Sequence, residues 1–175
     1  VDTNSWTPLE STVQAATEQL ADRVFRACRG GESFVVYFEC FAEWDEEAVW
    51  TLPSKAAMLA RLKRLPTVLI VLVLQWSGYR PQGGEFRQEA LGQVTLLARF
   101  REVCAWRLTP EPWWEEHPGL MTLLPLCRPV ESAEAAIRQA DRIIESRAPS
   151  REERADLLTI LGIFSKMHAP QLDVL

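Results

Sequence analysis

The stretch "TVLIVLVLQW" (67–76) constrains this chain more than any other. It is apolar, rich in β-branched residues and unbroken by Gly or Pro. Ten residues are about half of what a membrane-spanning helix needs. A run of this kind reads instead as a β-strand covered on both faces, at the centre of a sheet. Such a strand needs neighbours on either side and layers above and below it. With 175 residues, 47% of them hydrophobic and 25% charged, the chain can bury that core in a single domain, 1–175. The balance is that of a globular protein and excludes a disordered one.

The neighbouring strands precede it. "ADRVFRA" (21–27) alternates roughly at period 2, with Ala21, Arg23, Phe25 and Ala27 on one side and Asp22, Val24 and Arg26 on the other. "CRGGES" (28–33) carries Gly30-Gly31, a hairpin signal. "FVVYFECF" (34–41) is then the partner strand. "DEEAVWTLPSKAAMLARLKRL" (45–65) reads as a helix, acidic at its start and basic at its end, as the helix dipole favours. Pro53 predicts a kink or break in it, with Ser54 able to open a second segment. Residues 1–20 read as irregular or as a short helix, and 77–85, "SGYRPQGGE", as a loop.

Beyond the loop, "LARFREVCAWRL" (97–108) is a further strand, which closes a sheet core over 21–108. The rest, 109–175, is mostly helical. Thr109-Pro110 resembles an N-cap with Pro at the first helical position and predicts a short helix over "PEPWWEEH". Ser132 opens a helix to about Arg147, with Ala136, Ile137, Ala140, Ile143 and Ile144 as its apolar stripe. Ser150-Arg151-Glu152-Glu153 is a capping box that opens a last helix through about Met167. The expected fold is α/β: a small mixed sheet flanked by helices, with a helical C-terminal region.

Several function classes drop out on charge and composition. Net charge is −5, so a global basic footprint for nucleic acid is absent. Any DNA contact would have to use a local patch, either "RLKR" (61–64) or Arg99 with Arg101. Cys28, Cys40, Cys104 and Cys127 form no C-x-x-C pair and fit no zinc spacing. Cys40 and Cys104 sit in strand-like runs and read as buried thiols, which suits a reducing cytoplasm. The N-terminus carries no signal-peptide pattern. His117 and His168 suggest no Ser-His-Asp or Cys-His catalysis. Trp113-Trp114 could stack bases, but such residues more often anchor a core or an interface.

The two hairpin strands carry Asp22 and Glu39, and a carboxylate in an apolar strand is costly unless paired or bound to a cation. Two acids on neighbouring strands suit a divalent-cation site. Plainer readings compete: Asp22 facing solvent beside Arg23, and Glu39 paired with an Arg from the helix or with Arg99 or Arg101. "ADRVFRACRGGESFVVYFECF", the helix after it, and "LPTVLIVLVLQWSGYRP" resemble the Rpn-type recombination-promoting nucleases, often labelled transposases. "ARFREVCAWRLTPEPWWEEHPGLMTLLPLCR" and "ERADLLTILGIF" share the likeness, which covers roughly 17–168.

That resemblance implies a PD-(D/E)XK nuclease fold, with a central mixed sheet flanked by helices. It implies Mg²⁺- or Mn²⁺-dependent hydrolysis of DNA phosphodiesters. Asp22 matches the metal-binding aspartate, and Glu39 matches the acid of the E-x-K or E-x-Q signature. The third position, where the family has Lys or Gln, is Phe41 here. Phe cannot orient water or contact phosphate. Related nucleases can move this lysine to the following helix, where Lys55 lies; otherwise Lys55 is a solvated helix residue. Little chain precedes Asp22 for the family's N-terminal helical segment, so a fragment or a trimmed core is expected. The rival reading is a non-enzymatic interaction or assembly module, with seven Trp and an acidic balance suited to protein contacts, including a homo-oligomer. It predicts that Tyr37 and Phe41 plug the cleft.

Overall fold

The computed structural model describes residues 7–8, 23–43, 46–75, 84–127 and 132–167. Asp22, His168, the expected short helix at 11–20 and most of the 77–85 loop lie outside the described residues. In chain order the elements are β1 (Thr7–Pro8), β2 (Arg23–Arg29), β3 (Glu32–Glu43), α1 (Glu46–Lys63), β4 (Thr67–Gln75), β5 (Glu85–Ala90), β6 (Gln93–Arg99), β7 (Arg101–Cys104), α2 (Pro118–Met121), α3 (Ala133–Arg147) and α4 (Arg151–Met167). The architecture is mixed α/β with a C-terminal helical region. No described helix is long and apolar enough to cross a membrane. Contacts divide the chain into two compact units, a sheet unit from 1–73 and 77–103 and a helical unit from 74–76 and 104–175.

In the sheet unit five strands lie in the order β1-β2-β3-β4-β7. Antiparallel β2 and β3 pair from Arg23↔Phe38 to Arg29↔Glu32. Gly30 and Gly31 join them at φ 60° and 84°, the double positive φ that a two-residue hairpin turn requires. Burial along β2 departs from strict alternation: Val24 and Ala27, on opposite faces, are both buried. The step from β3 to β4 is a helical crossover. The Val35 amide, near the start of β3, donates to the Pro66 carbonyl, just before β4, at 2.8 Å. With the starts of both strands adjacent and α1 between them, β4 runs parallel to β3, and the sheet is mixed. Val71 through Leu74 are all buried, as expected for a central strand covered on both faces.

Helix α1 runs as one element through Pro53, and the separate segment from Ser54 does not form. Proline removes one backbone donor, but Leu52, Pro53 and Leu59 are buried, and that burial offsets the lost bond. The strand expected over 97–108 is interrupted. β6 ends at Arg99, Phe100 leaves the ladder, and β7 begins at Arg101 in the other sheet. A short 3₁₀ turn, Ala105–Arg107, follows.

The helical unit is built around Trp114, Met121, Leu124, Cys127, Ala140, Ile143, Ile144 and Leu161. Ser132 Oγ accepts from the Ala135 amide at 3.1 Å and caps α3. Ser150 Oγ does the same for the Glu153 amide ahead of α4. Both starts fall where the sequence places them. The helix expected from Thr109-Pro110 does not begin there. A 3₁₀ turn spans Pro112–Glu116, and Glu111 ahead of it is extended at φ −107°, ψ 155°. Pro112 keeps the residue before it out of the helical region, so no helix can cross Glu111.

Candidate functional site

Side chains two apart on a strand share a face, so β3 sets Tyr37, Glu39 and Phe41 in one row. Glu39 is buried among apolar neighbours in sequence, and a lone carboxylate there would cost several kcal/mol. Two donors meet it. Lys55 Nζ, from the middle of α1, lies 2.7 Å from Glu39 Oε1; the two side chains are only 13% and 7% exposed. The Tyr37 hydroxyl donates to Glu39 Oε2. Tyr37 itself is fully buried. Among the described residues, Oε1 thus accepts from Lys55 and Oε2 from Tyr37, and the ion pair ties β3 to the helix of the crossover.

The structure therefore brings together Glu39 and Lys55, two of the three expected site residues, and the third, Asp22, lies outside the described residues. Phe41 is half-buried on the row of Glu39. Tyr37 enters as a hydrogen-bond donor to Glu39. Its signal in the sequence was the same period of two that marks Phe41, counted toward the N-terminus. The Arg partners considered for Glu39 do not take it: Arg99 Nε sits 3.2 Å from Glu85 Oε2 on an exposed hairpin, and Arg101 is exposed.

The donor set can be tested against a divalent cation. Mg²⁺ takes one or two carboxylates and completes its shell with water and phosphate oxygens. Glu39 supplies one carboxylate of that kind, with its oxygens accepting from Tyr37 and Lys55. Among the described residues no group of three or more His, Cys, Asp or Glu gathers. The family likeness gives the role of second carboxylate to Asp22, which lies outside the described residues.

Arg61, Lys63 and Arg64 are exposed at the C-terminal end of α1. Trp114 is in the helical core, whereas Trp113 is exposed, donates from its indole N–H to Glu111 Oε2 at 3.0 Å and meets His117 edge-on. Cys104 and Cys127 are buried, while Cys28 and Cys40 are half-buried, Cys40 being less enclosed than expected. Burial pushes the Cys127 thiol up to about 12 and keeps it a neutral packing group. Compared with models of known protein families, with curated proteins and with solved structures, the chain matches none.

Proposed function

We propose that this chain is a nuclease-like protein of the Rpn type, with a PD-(D/E)XK-like sheet core, whose reaction is metal-dependent hydrolysis of DNA phosphodiesters. One observation carries the reading: Lys55, on the helix after β3, seats its ammonium on Glu39 at 2.7 Å. This is where a lysine displaced from position 41 must arrive to serve the same carboxylate. Asp22 and Glu39 would hold Mg²⁺ or Mn²⁺, which when bound supplies a Lewis acid for the phosphate and a more acidic water. The chain's own groups prepare the site. Tyr37 fixes the orientation of Glu39 through Oε2, and Lys55 places a positive charge where an anionic phosphate can approach. Burial of the pair strengthens that field relative to water. The exposed cations at the end of α1 are the DNA contact, and the cytoplasm is the compartment.

A second reading, an interaction or assembly module on a degenerate nuclease fold, is favoured by a different fact. Phe41 stands in the signature row, and both Glu39 oxygens already accept bonds from this chain. A nicking assay on supercoiled plasmid with Mn²⁺ separates the two. The nuclease reading expects cleavage by the wild type and a loss of roughly 10²–10³-fold in both Glu39→Ala and Lys55→Ala. Wild type that leaves the plasmid intact, or variants that cut as well as it does, would favour the module.

A further inference from the structure

Among the described residues the hairpin β5–β6 forms a two-stranded sheet of its own. Its root is fixed within the sheet unit. The Phe100 amide donates to the Gly84 carbonyl at 2.8 Å, and Phe86 is buried with Trp50 of α1 edge-on against it at 4.7 Å. Beyond the root, every residue from 87 to 97 is exposed. Isolated two-stranded hairpins are marginal in water and gain stability when a third strand pairs with them.

The two strands differ in what they offer. β5 carries Glu85, Arg87 and Glu89, the charges by which natural edge strands discourage pairing. β6 has no charge from Gln93 to Ala98, and it exposes Val94, Leu96 and Leu97. The pairs Gln88↔Leu96 and Arg87↔Leu97 put Leu96 and Leu97 on opposite faces of the ribbon, so the apolar surface runs around the edge of β6. Leu91 at the tip is 102% exposed.

Charge decides between occupants. The arm's ions cancel internally, Arg87 against Glu89 at 2.6 Å and Arg99 against Glu85 at 3.2 Å. No surplus cation is left to neutralise phosphates, so a nucleic-acid groove is a poor match. A net charge of −5 repels a second copy in general, but the uncharged strip of β6 opposes nothing to its own image. Antiparallel pairing of one segment with itself is the two-fold, isologous arrangement of most dimers. A two-fold axis through Leu96 sets the two Leu96 side chains side by side and opposes no like charges.

We propose that the outer edge of β6 pairs with β6 of a second copy, joining two hairpins into a four-stranded antiparallel sheet. The proposal stands apart from the nuclease reading. The test is the mass of the purified chain by light scattering, from low to high micromolar concentration. Dimeric wild type is expected, together with a dimer dissociation constant raised about tenfold or more by Leu96→Lys on the exposed strand. Slower amide exchange on β6 as concentration rises is expected alongside, with unchanged melting of the diluted variant showing that it folds. Wild type that stays monomeric throughout overturns the proposal. So does Leu96→Lys that dimerises as well as wild type, including the case where Ile163→Lys on α4 abolishes the dimer instead. A monomer whose DNA binding falls on Leu96→Lys also overturns it, in favour of a groove-reading arm.

Discussion

The described residues hold two antiparallel hairpins built on the same turn, and their fates are opposite. Gly30-Gly31 and Leu91-Gly92 both pass through two consecutive positive φ angles, 60° and 84° in the first and 53° and 74° in the second. The first hairpin lies inside the five-stranded sheet and buries Val35, Val36 and Tyr37. The second stands alone with nearly all its side chains in water. Each also carries an ion pair of almost the same length, Lys55–Glu39 at 2.7 Å against β3 and Arg87–Glu89 at 2.6 Å on β5. The turn thus sets only the local crossing of the strands. Whether a hairpin holds a site depends on the layers beside it, and among the described residues α1 delivers the Lys55 cation to the first hairpin.

The largest contrast should come from the two ion pairs. Lys55→Met leaves a buried carboxylate without its cation and should cost about 3–5 kcal/mol in urea unfolding, most of it recovered in the double variant Glu39→Gln/Lys55→Met. Arg87→Met should cost no more than about 0.5 kcal/mol, since both partners are more than half exposed. Equal costs would break the comparison at its root. Next come the strands. Val35→Ala should lose roughly 1–3 kcal/mol, whereas Leu97→Ala, measured at dilution, should stay within about 0.5 kcal/mol of wild type. The smallest pair concerns the turns. Gly31→Ala should destabilise by about 1–2 kcal/mol, because a Cβ is costly at φ 84°. Leu91→Asn should stabilise by about 0.5–1 kcal/mol, because Asn tolerates the conformation that Leu91 is forced to adopt. Thermal melts of the two turn variants in opposite directions would sharpen the comparison.

The same contrast explains what could be read in advance. Gly30-Gly31 between two apolar runs announces a hairpin. The second hairpin gives no such signal, because "EFRQEALGQV" hides its turn behind a leucine and its strands lack the apolar face that burial imposes. The starts of α3 and α4 were legible because Ser132 and Ser150 act within three residues of themselves. The 3₁₀ turn starts at Pro112, two residues after Pro110, and the sequence offers both prolines for the same role. At the site, Glu39 stands out as a charge in an apolar run, whereas only the family likeness points to Lys55. Its partner in space is sixteen residues away, and no local pattern links them. Tyr37 reads as a core aromatic until its hydroxyl is seen on Glu39.

The central claim is that Glu39, held by Tyr37 and Lys55, is a working carboxylate of a divalent-cation site and more than a structural ion pair. Titration calorimetry of Mn²⁺ into the wild type and into Glu39→Ala tests it most directly, since it needs neither a substrate nor turnover. The account predicts binding in the micromolar to millimolar range by the wild type and its loss in Glu39→Ala. Wild type that gives no metal-specific heat, or Glu39→Ala that binds as well as wild type, would contradict it.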